Sequence, residues 1–271
     1  SFWGSGASYE GIAKKSNNFN VTRLIETTAQ YTGQLKKHSY SLLAGHSYQD
    51  YTEESGSFTQ TYLDNYYLYN NMGAGAGITK LASGEVSNAG IGMSSNKAEN
   101  KLASLFARIM YNYSSRYFFN ASVRYEGSSK FGANNRWGYF PAVSGSWLIT
   151  EEDFMKGQTL LSNLKLRTGY GITGNVPSDN YAWIGLMQPN EDKFYDGESQ
   201  TWVTTYSLST NPNPNLKWEK KGELNIGLDF GFLKGRMNGT LDYYNRRTSD
   251  LLYNYSVDSK KYTKSTMLMN Y

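Results

Sequence analysis

From Glu223 to Phe232 apolar and polar residues alternate without a break. Leu224, Ile226, Leu228, Phe230 and Phe232 share one face, and Glu223, Asn225, Gly227, Asp229 and Gly231 share the other. A period of 2 over this length predicts a β-strand. The chain turns at Lys234-Gly235 and returns with Met237, Gly239, Leu241 and Tyr243 opposing Asn238, Thr240, Asp242 and Tyr244, which predicts a hairpin. In the middle of the chain Leu105, Ala107, Ile109, Tyr111 and Tyr113 oppose Ser104, Arg108 and Asn112. After a Ser114-Ser115-Arg116 turn, Phe119, Ala121, Val123 and Tyr125 oppose Asn120, Ser122, Arg124 and Glu126. Further strands are expected over 139–150 and 164–173. Two more, with weaker alternation, are expected over 21–33 and 38–52 around a Lys36-Lys37 turn.

About eight strands therefore follow from periodicity. Their connections alternate in length. Tight turns follow the first, third and seventh strands, and long connections over 55–100 and 174–217 follow the second and sixth. The connection over 151–163 is expected to hold a short helical turn capped by Thr150. Tight turns at one end and long loops at the other suit an antiparallel transmembrane β-barrel, and strands of about ten residues are the length such a wall needs. Burying the five outward residues of 224–232 is worth roughly 1.5–3 kcal/mol each. A slip of one residue would turn Glu223 and Asp229 to the apolar side. Tyr111, Tyr113, Tyr117, Phe118 and Phe119, with Tyr243 and Tyr244, fall near strand ends. They are expected either in an interfacial girdle or in ordinary cross-strand pairs.

Composition agrees with a wall of this kind. The 271 residues include 24 Tyr, 12 Phe, 6 Trp and 27 Gly, which is poor in the aliphatic residues of a soluble core but also compatible with a soluble all-β protein. The 27 Lys+Arg against 23 Asp+Glu give a net charge of +4, too weak for a nucleic-acid footprint. The absence of Cys excludes thiol nucleophiles, Cys-ligated zinc, iron–sulfur clusters and disulfides. No apolar window is long enough for a membrane helix. The chain opens on Ser1-Phe2-Trp3 without a signal peptide, so it is expected to be mature or truncated.

Three ordered stretches carry a family resemblance. Arg124-Tyr125-Glu126-Gly127-Ser128-Ser129-Lys130-Phe131-Gly132, continuing through Arg136-Trp137-Gly138-Tyr139-Phe140-Pro141, is the first. Leu164-Lys165-Leu166-Arg167-Thr168-Gly169-Tyr170-Gly171-Ile172-Thr173-Gly174-Asn175 is the second. Asn213-Pro214-Asn215-Leu216-Lys217-Trp218-Glu219, with 225–230, 242–245 and 250–252, is the third. In order and spacing they resemble SusC/RagA-type TonB-dependent transporters, with weaker similarity from Leu43 to Leu102. The resemblance implies all-β architecture, with residues 1–271 as part of the wall of a 22-stranded barrel. The plug and TonB box are expected to lie outside this chain. It also implies residence in the outer membrane of a Gram-negative bacterium and contact with outer-membrane lipid. Oligosaccharide or peptide import would be shared with a SusD-like lipoprotein, and energy would come from the TonB complex. A passive porin-like barrel and a soluble all-β carbohydrate-binding or carbohydrate-active protein are the alternatives. The motif residues read physically as folding elements: turn chemistry at 127–135, Pro141 at a strand start, Trp218 as an anchor before a strand.

No catalytic, cofactor or metal site stands out. Gly169-Tyr170-Gly171-Ile172-Thr173-Gly174 fits a dinucleotide pattern only formally, because it lies in a strand and no helix follows. His38 and His46, eight residues apart, would stand ~27 Å from each other on one strand and cannot share a metal. Glu151-Glu152-Asp153 is expected to be a solvated turn. The substrate-binding candidates are the loop aromatics Tyr181, Trp183, Trp202 and Tyr206, with Tyr66, Tyr67 and Tyr69 in the earlier loop. Their faces suit sugar rings, and packing of the long loops is the competing role. Arg108, Arg124, Lys165, Arg167, Glu223 and Asp229 are expected to face the lumen.

Overall fold

The computed structural model describes residues 12–61, 72, 79–80, 86–87 and 91–271. Tyr66, Tyr67, Tyr69 and the glycine-rich 73–77 segment lie outside the described residues. Ten long strands are labelled here in chain order. They are β1 (Ile12–Leu35), β2 (His38–Thr61), β3 (Ile91–Tyr113), β4 (Tyr117–Ser128), β5 (Trp137–Leu148), β6 (Leu161–Asn175), β7 (Met187–Asp196), β8 (Thr201–Leu208), β9 (Glu219–Phe232) and β10 (Met237–Ser249). Two shorter ones follow, β11 (Leu252–Ser256) and β12 (Thr266–Asn270). Thr79–Lys80 also pairs with Val86–Ser87. One sheet of eight strands runs β1-β2-β3-β4-β5-β6-β9-β10, so the eight expected strands exist and pair in sequence order. Their extents differ from expectation. β1, β2 and β3 span 24, 24 and 23 residues, far beyond their short apolar alternation, because their outer halves are polar on both faces and give no period-2 signal.

The chain divides into two compact units. The first comprises 1–23 and 50–99. Its described strand segments are tied by polar side chains: Ser57 to Ser94 (2.7 Å), Lys97 to Glu54 (3.0 Å) and Arg23 to Asp50 (3.6 Å).

The second unit comprises 24–49 and 100–271. Register fixes its two faces. Leu228 pairs with Leu166 and Leu241, Leu166 with Trp147, Trp147 with Tyr117, and Tyr117 with Tyr113. This outward face stays apolar from strand to strand, and Leu105, Phe119, Val143, Leu166, Ile226 and Leu241 on it are all exposed. In water such a surface would be a large apolar patch; in lipid it is the ordinary surface of a barrel wall. Two aromatics assigned to the girdle face the other way. Phe118 pairs with Ser146, and Tyr244 with Asn225, because each sits one residue off the outward period.

The tight turns use left-handed residues without a full complement of glycine: Lys36, Ser114 and Ser115, and Leu233-Lys234 before Gly235. The connection after β5 contains 3-10 turns at Ile149–Glu151 and Asp153–Met155, in place of one capped helical turn. Thr150 makes no cap. Its hydroxyl instead accepts from the Leu164 amide (3.5 Å). The long connection over 174–217 contains the β7–β8 hairpin, whose mixed polar and aromatic composition carries no period-2 signal.

Candidate functional site

Three places in the second unit bring side chains together. The first is the inner face of the sheet. Arg167 on β6 grips Asp229 on β9 through Nε and Nη2 (both 2.8 Å) and reaches Asp242 on β10 (3.1 Å). Thr240 donates to the same Asp229 (3.1 Å). Arg246 pairs with Glu223 (2.7 Å) and Arg124 with Glu126 (3.0 Å), while Lys165 lies over the Phe118 ring (5.4 Å). Arg108 also belongs to this face, opposite Ser122. All six residues expected to face the lumen therefore share one face. A cavity of about 900 Å³ opens on it, lined among others by Met110, Asn112, Phe118, Asn120, Ser146 and Arg167. The buried Oδ1 atoms of Asn112 and Asn120 have no hydrogen-bond partner among the described residues.

The second place is the loop end, where the four candidate aromatics separate. Phe131, Phe140, Leu216 and Trp218 form a buried cluster, with Trp218 against Phe131 and Phe140 (5.1 Å each). Trp183 packs against this cluster, donates to the Ser129 carbonyl (3.2 Å) and receives the Arg136 guanidinium on its ring (5.8 Å). Trp183 is thus part of the packing. Tyr181 adopts a left-handed backbone (φ 63°) in the turn that leads to it. Burial pushes the Lys130 ammonium below its usual range. It nonetheless donates to the carbonyls of Pro177 (2.9 Å) and Ser178 (2.8 Å). A side chain on Gly132 would strike the Pro214 carbonyl at 2.5 Å, so only glycine lets the two loops approach.

The Asn-Pro alternation at 211–215 has a physical reason. Proline offers no backbone donor, and the Asn side chains replace what a strand would supply. Asn211 donates to Lys264 O (2.7 Å) and Thr266 O (2.8 Å) and accepts from Lys264 N (3.1 Å); Asn213 donates to Leu268 O (2.9 Å). These bonds hold β12 to the loop core.

Trp202 and Tyr206 behave differently. Both lie on β8, and Trp202 is paired with Tyr195 of β7 (rings 5.2 Å apart). A register shift between Thr204 and Tyr206 is held by Asn190, which donates to the Thr205 hydroxyl (3.0 Å). Trp202, Tyr206, Tyr195 and Met187 are exposed, and so are Val203 and Phe194 on the opposite side of the hairpin. The structure divides the four candidates: Trp183 is committed to the loop core, and Trp202 and Tyr206 stay open.

The third place is the tight-turn end, where Glu151 and Asp153 are exposed as a solvated turn requires and Glu152 alone is not. Glu152 accepts from the Tyr117 hydroxyl (2.6 Å), Trp147 Nε1 (2.9 Å) and Arg116 (3.2 Å). Those bonds, the Tyr117 bond foremost, hold its carboxyl below the usual carboxylate range. No short motif announces this cluster, because its donors come from two separate segments, Arg116-Tyr117 and Trp147. Among the described residues no group of three His, Asp or Glu side chains is placed to hold a metal.

Residues 1–266 match the family model for the TonB dependent receptor-like β-barrel. The TonB-dependent receptor SusC of Bacteroides thetaiotaomicron is 45% identical over 155 residues, which is 56% of this chain and 15% of SusC. The TonB-dependent receptor P3 of Formosa agariphila is 31% identical over 252 residues, 92% of this chain and 23% of P3. A structure of the RagAB peptide importer in its closed-closed state superposes with a TM-score of 0.81 at 27% identity, covering 95% of this chain and 26% of that one. The chain thus spans under a quarter of the length of these curated relatives.

Proposed function

Because the chain belongs to the TonB-dependent receptor-like β-barrel family, we propose that it forms part of the wall of an outer-membrane importer. The carrying observation is the contrast between the faces of the second unit: an exposed apolar outward face and an inner face of polar, ion-paired residues. A wall between lipid and a polar lumen needs that division. The inner set around Arg167 and Asp229 contacts the plug and lines the route. The plug and TonB box belong to the remainder of the protein, and TonB supplies the energy. No catalytic group is assigned.

The substrate is an oligosaccharide or a peptide, captured with a SusD-like surface lipoprotein. The family relationship to SusC supports that pairing, and the RagAB importer, described as a peptide importer, supports including peptides. Trp202 and Tyr206 are the substrate-contacting aromatics, because their rings are exposed and free of the loop core. Trp183 and Tyr181 act behind them by fixing the loop.

Uptake of labelled oligosaccharides and peptides by cells making the full-length protein tests this reading. Import that requires an intact TonB complex is expected. A Trp202→Ala/Tyr206→Ala pair should reduce uptake while leaving the amount of assembled barrel unchanged. Diffusion of solutes without TonB would establish the passive pore instead.

A further inference from the structure

The outward face of the second unit carries three charged side chains in its strands, and all are cations at the loop end: Lys101 on β3, Lys220 on β9 and Arg247 on β10. Among the described residues no Asp or Glu occupies an outward position of the eight-stranded sheet in this unit, and none of the three cations forms an ion pair. The inner face behaves oppositely, with Arg167, Arg124 and Arg246 each matched to a carboxylate.

Lys220 and Arg247 flank one spot. Gly222 pairs with Arg247 on one side and with Ile172 on the other, and Lys220 lies two residues along on the same face. Gly222 has no side chain to fill the space between them. A Cβ there would meet the Tyr170 hydroxyl at 2.9 Å, so that hydroxyl reaches over the glycine. The Tyr170 hydroxyl makes no hydrogen bond among the described residues, although the residue is half exposed (47%). The result is a small depression with a glycine floor, two free cations and a free phenol donor.

Its height matches a phosphate layer. Twelve residue steps separate Lys220 from Phe232, about 40 Å of strand at ~3.4 Å each and ~31 Å of height at the ~40° tilt usual for such walls. The hydrocarbon layer is ~30 Å thick, so with Phe232 at one margin Lys220 meets the opposite headgroups.

We propose that Lys220, Arg247 and the Tyr170 hydroxyl, around Gly222, form a binding site for the phosphate of an outer-leaflet glycolipid. Guanidinium and ammonium donors favour a phosphate oxygen, and the rings of the apolar face below take the acyl chains. The site faces lipid, away from the transport route, and the inference rests on the barrel-wall reading above.

The test uses the full-length protein, stripped of lipid in detergent and offered lipid A monophosphate or the same lipid dephosphorylated, with native mass spectrometry as readout. Wild type should retain the phosphorylated form about tenfold better. Lys220→Gln/Arg247→Gln should abolish that preference, Tyr170→Phe should weaken it, and Lys221→Gln, on the other face of β9, should leave it intact. Excess inorganic phosphate should not displace the lipid. A wild type without preference, a double variant that keeps it, or displacement by inorganic phosphate would overturn the site, and the first needs no variant to fold. Outer-membrane fractionation separates the two readings. A protein found elsewhere defeats the wall itself, whereas one in that membrane without phosphate preference defeats this site alone.

Discussion

The β7–β8 hairpin lies in sequence between Trp183 and Trp218, which pack in the loop core, yet the aromatics of the two have opposite fates. Phe131, Phe140 and Trp218 are buried, and the Trp218 indole donates to Arg136 O (2.8 Å). Trp202 and Tyr206 are 66% and 61% exposed, on a hairpin exposed on both sides. A two-stranded hairpin is marginally stable alone, so its exposed rings have something to gain from a ligand or partner. The rings of the core have already spent theirs on folding. Aromatic content in a loop is therefore no signal of binding by itself; what matters is whether other elements have closed over the ring.

Trp218→Ala is the strongest way to test that division. Removing a buried indole costs ~3–5 kcal/mol, which should sharply reduce heat-resistant assembled barrel in the outer membrane. Trp202→Ala should change assembly by no more than about 0.5 kcal/mol, as exposed substitutions do. Equal losses from the two variants would erase the distinction.

Asn211→Leu should come next. It deletes two donated bonds and one accepted bond to the segment 264–266, and leaves those backbone groups short of partners at about 1–3 kcal/mol. Proteolysis within 257–266, followed by gel, should become faster than in wild type. Trp183→Phe is milder. It keeps most of the packing and loses the bond to Ser129 O, about 1 kcal/mol, and a small drop in unfolding temperature on a heat-modifiability gel should report it.

How much of this was legible in the sequence depends on the kind of signal. The β9–β10 hairpin was, because Leu224 to Phe232 alternate strictly and are apolar on one side only. The outer halves of β1 and β2 were not. Lys14 to Asn20 and Gln49 to Ser57 are polar at nearly every position, and a strand that is wet on both faces has no period to detect. The candidate site was half legible. Residue type flagged Trp183, Trp202 and Tyr206 alike, and only tertiary contacts with Ser129 and Arg136 separate the first from the others. The Glu152 cluster was hidden for the same reason. Its donors Arg116, Tyr117 and Trp147 are adjacent in space but belong to a turn and two strand ends, and an acidic run in a turn reads as solvated.

Glu152 offers the finest test, because it uses aromatic polar atoms as the loop core uses them, but around a charge. Its side chain is 13% exposed and carries three charge-assisted bonds. Since its folded pKa is depressed, chiefly by the Tyr117 hydroxyl and then by Trp147, folding favours the ionised form. The stabilisation is complete above the ordinary Glu range near ~4.3 and is lost as pH falls through the lowered folded value. Glu152→Gln has no proton to gain. Near neutral pH wild type should unfold at the higher temperature, and the gap should close on acidification through and below the ordinary carboxylate range. Neighbouring Asp153 is also held low, first by Lys156 and then by Arg116, so some acid sensitivity persists in the variant. The difference between the two curves isolates Glu152. A gap that stays constant with pH would mean that Tyr117 and Trp147 are held by packing alone, as Phe140 is in the loop core, and that the carboxylate adds no ionic stabilisation to the turn.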